Sequence, residues 1–141
     1  PKQIKSEHKV PNKINILLIE DSAFDVRMIQ QFLKEFEDFQ FNLFVAKDIA
    51  EGIKYSATER VDIIILDLYL PDGEGINAFH KVKKFAKGIP IIIMSGISDK
   101  DIFYQAMQEG AQNYLIKGKV DGDMLLRSIR SAIWSQTSER G

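Results

Sequence analysis

Two adjacent acids, Glu20 and Asp21, follow the apolar run INILLI, and a third, Asp67, follows DIIIL. Ser95 follows PIIIM, and Lys117 follows NYLI. Carboxylates, a hydroxyl and an amine gathered at the ends of apolar segments suit phosphoryl transfer. A hard dication such as Mg2+ takes oxygen ligands in near-octahedral geometry and keeps several waters. Crowded carboxylates repel one another, and one takes up a proton unless a cation lies among them. With an ion present, Asp67 can stay ionised as a nucleophile. Lys117 would neutralise charge on the phosphoryl oxygens, and Ser95 would donate a hydrogen bond to one of them. No general base is needed. Taken singly, each residue has a plainer reading. An acid at a strand end is often a helix cap or turn former, Ser95 before Gly96 can be a turn residue, and a lone lysine is usually solvated. Their joint placement carries the chemistry.

That placement depends on the elements between them. Ile14–Ile19, Phe41–Ala46, Asp62–Leu66, Pro90–Met94 and Asn113–Ile116 read as strands. Three of these are almost continuously apolar and β-branched, as strands covered on both faces are. In the first intervening helix Phe24, Met28, Ile29, Phe32, Leu33 and Phe36 form one stripe. Ser22 is its expected N-cap, with Asp25 as an approximate capping-box acid. Further helices are expected over Asp48–Thr58, Gly75–Ala86, Ser98–Glu109 (capped by Ser98) and Asp121–Ser135. In the last, Leu125, Leu126, Ile129, Ala132 and Ile133 form the buried stripe. Alternating strands and helices imply βαβ units, a parallel sheet and right-handed crossovers that place helices on both faces. In such a sheet ligands bind beyond the carboxyl ends of the strands, where strand order reverses. The chemistry-bearing residues fall at those ends.

The 141 residues suffice for one domain with a full core, and 45% hydrophobic with 28% charged is ordinary globular composition. A net charge of −1 gives no general pull toward nucleic acid or anionic membrane. The absence of cysteine excludes disulfides, thiol catalysis and thiolate metal sites. Apolar runs fall far short of the ~20 residues of a membrane span, so no membrane association and a cytoplasmic location are expected. Residues 1–12 read as a flexible N-terminal arm, 13–135 as the domain, and 136–141 as a frayed tail or linker start.

Taken together, LLIEDS, IILDLYLPDGEG, IIMSG and NYLIKG resemble the signature parts of response-regulator receiver domains of two-component signalling, over about residues 14–135. The resemblance implies a flavodoxin-like, doubly wound α/β fold with five parallel strands in the order 2-1-3-4-5 and five helices. It implies that Asp67 is phosphorylated from a phosphohistidine of a histidine kinase or phosphotransfer protein. Mg2+ would be held by Asp21, Asp67 and the backbone carbonyl of Tyr69, with Glu20 acting largely through water. Ser95 would swing toward the phosphoryl group, and Tyr114 would turn inward behind it as an aromatic switch. Such a domain is not an enzyme beyond catalysing its own phosphorylation and dephosphorylation.

Departures from the family pattern carry their own expectations. Glu-Asp stands where Asp-Asp is commoner, and Leu70 replaces a frequent methionine, a volume-conserving exchange. Gly118 stands where the family has a proline after a cis peptide. A cis bond costs a non-proline residue about 2.5–4 kcal/mol, so a trans peptide or a strained loop is expected, and the placement of Lys117 depends on it. Tyr69 edges the pocket, and its bulk would hinder an attacking water.

Nothing after the fifth helix resembles a DNA-reading module, so no direct nucleic-acid contact is expected; the chain reads as a stand-alone receiver or one excised from a larger protein. Trp134 lies off the Ile129 stripe and is expected to be at least partly exposed. It suits a homodimer or partner contact on the face of the fourth helix, fifth strand and fifth helix, or equally packing over its own helix end or the N-terminal arm. Lys81, Lys83, Lys84 and Lys87 read as a solvated face, and His8 and His80 as isolated. Two rivals stand beside the phosphoacceptor. A pseudo-receiver would share the fold without the chemistry, but the acids, hydroxyl and lysine are all in place. A flavodoxin-like cofactor binder needs a glycine or hydroxyl cradle after the first strand, where this chain has EDSAFD.

Overall fold

The computed structural model describes residues 13–140, with side chains through Ser135. The arm at 1–12 and His8 lie outside the described residues. In chain order the elements are β1 (Ile14–Ile19), α1 (Ala23–Lys34), β2 (Phe41–Ala46), α2 (Ile49–Thr58), β3 (Ile63–Leu66), β4 (Tyr69–Leu70), β5 (Gly73–Glu74), α3 (Ile76–Phe85), β6 (Ile91–Ser95), α4 (Lys100–Gln108), β7 (Asn113–Ile116) and α5 (Gly122–Arg140). The long strands form one parallel sheet in the order β2-β1-β3-β6-β7. Counting only those strands, this is the expected 2-1-3-4-5.

Alternation along each strand divides the core. Ile14, Ile16 and Leu18 of β1, with Ile63 and Ile65 of β3, pack under α1 and α5 against Ile29, Leu33, Leu125 and Ile129. Leu17, Ile19, Ile64 and Leu66 face the other way, toward Ile49, Ala78, Phe79 and Val82 beneath α2 and α3. Each wholly buried aliphatic side chain contributes about 1.5–3 kcal/mol. Two buried faces explain why β3 reads IIIL with no polar residue. Gly52 lets α2 settle close to β1, since a Cβ there would stand 2.8 Å from Ile19 Cδ1.

Local chemistry sets the helix starts. Ser22 caps α1 by accepting from the Asp25 amide at 3.2 Å, and Asp48 caps α2 by accepting from Glu51 at 2.8 Å. Asp99, not Ser98, caps α4, accepting from the amides of Asp101 and Ile102 at 3.0 and 3.2 Å. Gly75 opens α3 at φ 61, a backbone region glycine enters freely.

Three further expectations are corrected, and one element was not anticipated. Phe24 leaves the α1 stripe and is 68% exposed, because the first turn of α1 stands at the strand-end rim rather than over the core. Asp25 does not close a capping box: Glu20 Oε2 accepts from the Ser22 amide instead, at 3.1 Å. A small antiparallel hairpin, β4 with β5, follows β3. Finally, α5 is longer than the expected Asp121–Ser135, running from Gly122 to Arg140; QTSER contains neither glycine nor proline to stop it.

Trp134 is 64% exposed, as its place off the stripe requires. The lysine run on α3 is less free than expected. Lys81 donates to the Asp72 carbonyl at 2.6 Å, and Lys83 donates to the Glu109 carbonyl. His80 also has a partner, since its Nε2 lies 2.6 Å from Glu109 Oε1. No helix among the described residues is long and apolar enough to cross a membrane.

Candidate functional site

In parallel strands the carboxyl ends share one edge, and register decides which end residues meet. Ile19 of β1 pairs with Leu66 of β3, so Glu20 and Asp67 emerge side by side. The chain passes from β1 out to β2 and returns on the opposite side as β3, which makes this the edge where strand order reverses. Ser95 pairs with Ile116, which delivers Lys117 one residue further along the same edge. Ladder hydrogen bonds continue past the strands: the Glu20 amide donates to Ala46, Asp67 to Ile19 and Lys117 to Ser95, at 2.8, 3.0 and 2.9 Å.

Glu20, Asp21 and Asp67 each present a carboxylate oxygen, and these oxygens lie within 4.8 Å of one another. Glu20 and Asp67 are buried, at 2% and 5% exposure, whereas Asp21 is exposed. Both oxygens of Glu20 are engaged, one by the Ser22 amide and the other by Lys117 Nζ at 2.8 Å. Lys117 Nζ also meets Asp67 Oδ1 at 3.2 Å and Asp25 Oδ2 at 2.8 Å. The described residues contain no cis peptide and no positive φ at Gly118. The Lys117–Gly118 bond is therefore trans, and the lysine reaches the site without a prolyl turn.

One lysine cannot compensate every acid around it. Burial raises the pKa of Glu20, and the bond from Lys117 opposes this only in part while Asp67 adds repulsion. Burial likewise raises Asp67, against the pull of Lys117 and a weak bond from the Tyr69 amide at 3.4 Å. Burial disfavours charge on Lys117 too, but bonds to Asp25 and Glu20 and the nearby Asp67 outweigh it, so its pKa rises and the ammonium persists. Buried acids whose ionised forms cost free energy, with oxygen donors this close, fit a hard divalent cation.

Ser95 is wholly buried, and its hydroxyl accepts from the Ile97 amide at 3.2 Å. Tyr114 is only 8% exposed, lies edge-on to Phe103 with ring centres 5.6 Å apart, and donates its hydroxyl to the Ile97 carbonyl at 3.1 Å. It is turned inward in this structure. Burial raises its phenol pKa. Tyr69, two residues past Asp67, is 38% exposed.

The structure thus brings Glu20, Asp21, Asp67 and Lys117 together, with Ser95 and Tyr114 on the next two strands. Sequence reasoning missed Asp25 as a neighbour of the site. Its link to Lys117 spans 92 positions, and the local Ser22-to-Asp25 spacing suggested only a cap.

A doubly wound α/β domain with an acid cluster and a lysine at its carboxyl edge is the class that fold and site define. The family profile of the response regulator receiver domain matches residues 16–130, and the chain belongs to that family. Its relatives include the chemotaxis protein CheY of Treponema pallidum, 30% identical over 123 residues that cover 84% of this chain and 81% of that protein. Another is the KDP operon transcriptional regulatory protein KdpE of Escherichia coli, 32% identical over 114 residues, covering 80% of this chain and 48% of that protein. The chain thus spans about half the length of KdpE. Among solved structures, a CheY-like response regulator receiver domain protein from Methanospirillum hungatei superposes with a TM-score of 0.74 at 26% identity, covering 89% of this chain and 98% of that one.

Proposed function

We infer that this receiver domain is a phosphoacceptor in a two-component relay and that Asp67 is the residue modified. The reading is carried by one observation: a buried carboxylate 3.2 Å from a lysine ammonium, in a cluster of carboxylate oxygens within 4.8 Å of one another. The donor is a phosphohistidine on a histidine kinase or phosphotransfer protein. An Asp67 carboxylate oxygen attacks phosphorus in line, the phosphorus–nitrogen bond breaks, and its electron pair returns to the donor imidazole. The product is an aspartyl phosphate.

Asp21, Asp67 and the Tyr69 carbonyl would hold Mg2+, with Glu20 outside them through water, since both Glu20 oxygens are already engaged. When bound, the ion neutralises charge developing on the transferring oxygens. Lys117 orients and neutralises another of those oxygens, and Ser95 donates a hydrogen bond once it releases Ile97. Ser95 and Tyr114 then act as the switch that an output partner or fused module reads. The exposed Trp134 on α5 offers that partner, or a second copy of the chain, a contact. Work of this kind suits a cytoplasmic protein without direct nucleic-acid or membrane contact.

The test is incubation with Mg2+ and a small phosphodonor or beryllofluoride, followed by intact mass and fluorescence or NMR. Wild type should be modified in a magnesium-dependent way, and Asp67→Asn should not. No modification of wild type would leave a pseudo-receiver, an interaction module without the chemistry.

A further inference from the structure

We propose that Asp25 is a positioning residue for phosphoryl transfer, acting through Lys117; this rests on the acceptor role inferred for Asp67. An acid three residues past a serine cap ordinarily turns back to the cap's amide. Here Glu20 has taken that amide at 3.1 Å, and Asp25 turns its Oδ2 to Lys117 Nζ at 2.8 Å. An ammonium carries three donors, and three carboxylates from separate elements surround this one. Two contacts, to Glu20 and Asp25, are at 2.8 Å, while Asp67 stands at 3.2 Å.

The turn around the lysine fixes its backbone, with the Lys117 amide donating to the Ser95 carbonyl and the Lys119 amide to the Ile116 carbonyl, both at 2.9 Å, but it does not reach the ammonium at the end of the side chain. Gly118 follows through a trans peptide, and a Cβ at that position would meet nothing within 4 Å. The position of the ammonium itself therefore comes from the acids. Asp25 and Glu20 hold the cation beside Asp67, near enough to meet a phosphoryl oxygen yet not closed onto the nucleophile. Without Asp25 one N–H loses its acceptor, and the ammonium closes on Asp67 and blunts it.

The first test needs neither metal nor phosphodonor. The Lys117 ζ-ammonium resonance is recorded in the whole chain by proton–nitrogen NMR and assigned by its loss in Lys117→Met. Wild type should give a resolved signal, and Asp25→Asn, which keeps shape and backbone, should shift or broaden it. A wild type lacking the signal, or an unchanged signal in Asp25→Asn, overturns the proposal.

The second test is a double-mutant cycle on the rate of phosphorylation by acetyl phosphate at saturating Mg2+. Asp25→Asn should slow the reaction about tenfold with Lys117 present and less than about twofold in Lys117→Met, the non-additivity of touching groups. Equal slowing in both backgrounds means Asp25 acts only as a local charge, and overturns this proposal while the acceptor reading stands. A wild type that takes no phosphoryl group overturns the acceptor reading and this proposal with it, whatever the ammonium resonance does.

Discussion

Replacing Lys117 by methionine keeps an unbranched side chain of similar reach and removes the cation from a pocket where Glu20 and Asp67 are 2% and 5% exposed. The ammonium contacts carboxylates at 2.8, 2.8 and 3.2 Å. At an effective dielectric constant of about 20, each such attraction is on the order of 5 kcal/mol before desolvation. Desolvation of the ions offsets most of that sum, and removing one partner of a buried pair leaves a net loss of about 3–5 kcal/mol. The loss should depend on pH, because the stranded acids can escape by taking up protons. Each one that does so recovers about 1.4 kcal/mol per pH unit. Urea unfolding of Lys117→Met against wild type, in chelator, should show the full deficit at about pH 8 and a clearly smaller one at about pH 5.5. Mg2+ should restore part of the deficit at the higher pH. A deficit identical at both pH values and indifferent to Mg2+ would refute the reasoning, since the lysine would then contribute packing rather than charge.

In the metal-free wild type, Glu20 and Asp67 have folded pKa values raised above their ordinary 4.5 and 3.8. Their ionisation costs stability, so stability should fall as pH rises from those ordinary values through the folded ones. Lys117, also raised, keeps its contribution below its ordinary 10.5 and loses it only above that. Denaturant midpoints across that range should decline in chelator and flatten with Mg2+. Ile129→Ala, at a wholly buried position between α5 and the sheet, should cost about 2–5 kcal/mol in unfolding experiments. It should leave the magnesium dependence of the phosphorylation proposed above unchanged. Tyr69→Ala should accelerate loss of the phosphoryl group by opening the pocket rim to water; an unchanged dephosphorylation rate would dismiss the shielding role.

Long-range order was legible where hydrophobic pattern alone determines it. β1, β3 and β6 announce themselves because both sheet faces are covered, and the acids after β1 and β3 need only the parallel register to meet. What escaped depends on contacts distant in sequence. Two-residue strands such as Tyr69–Leu70 and Gly73–Glu74 are too short to show a period. Asp72, between them, reads as a turn former, yet its carboxylate accepts from the Ile49 and Ala50 amides of α2 at 3.0 and 3.1 Å. Asp99 and Ser98 are both good caps by type, and only backbone geometry chose between them. Asp25 was hidden for a similar reason. Its spacing from Ser22 satisfies a local motif, while its actual partner enters from β7, at the far end of the chain.

The peptide units around Ile97 are held at two points, with the Ile97 amide on the Ser95 hydroxyl and its carbonyl on the Tyr114 phenol. Its side chain, 50% exposed, is nonetheless open to solvent. A backbone amide whose acceptor is a rotatable hydroxyl is a natural clock for that hydroxyl. If Ser95 turns toward a phosphoryl group, the Ile97 amide proton loses its shelter and trades with deuterium faster, while neighbouring strand protons keep theirs. Deuterium uptake at this single amide would time the switch from inside the loop, before any partner has bound.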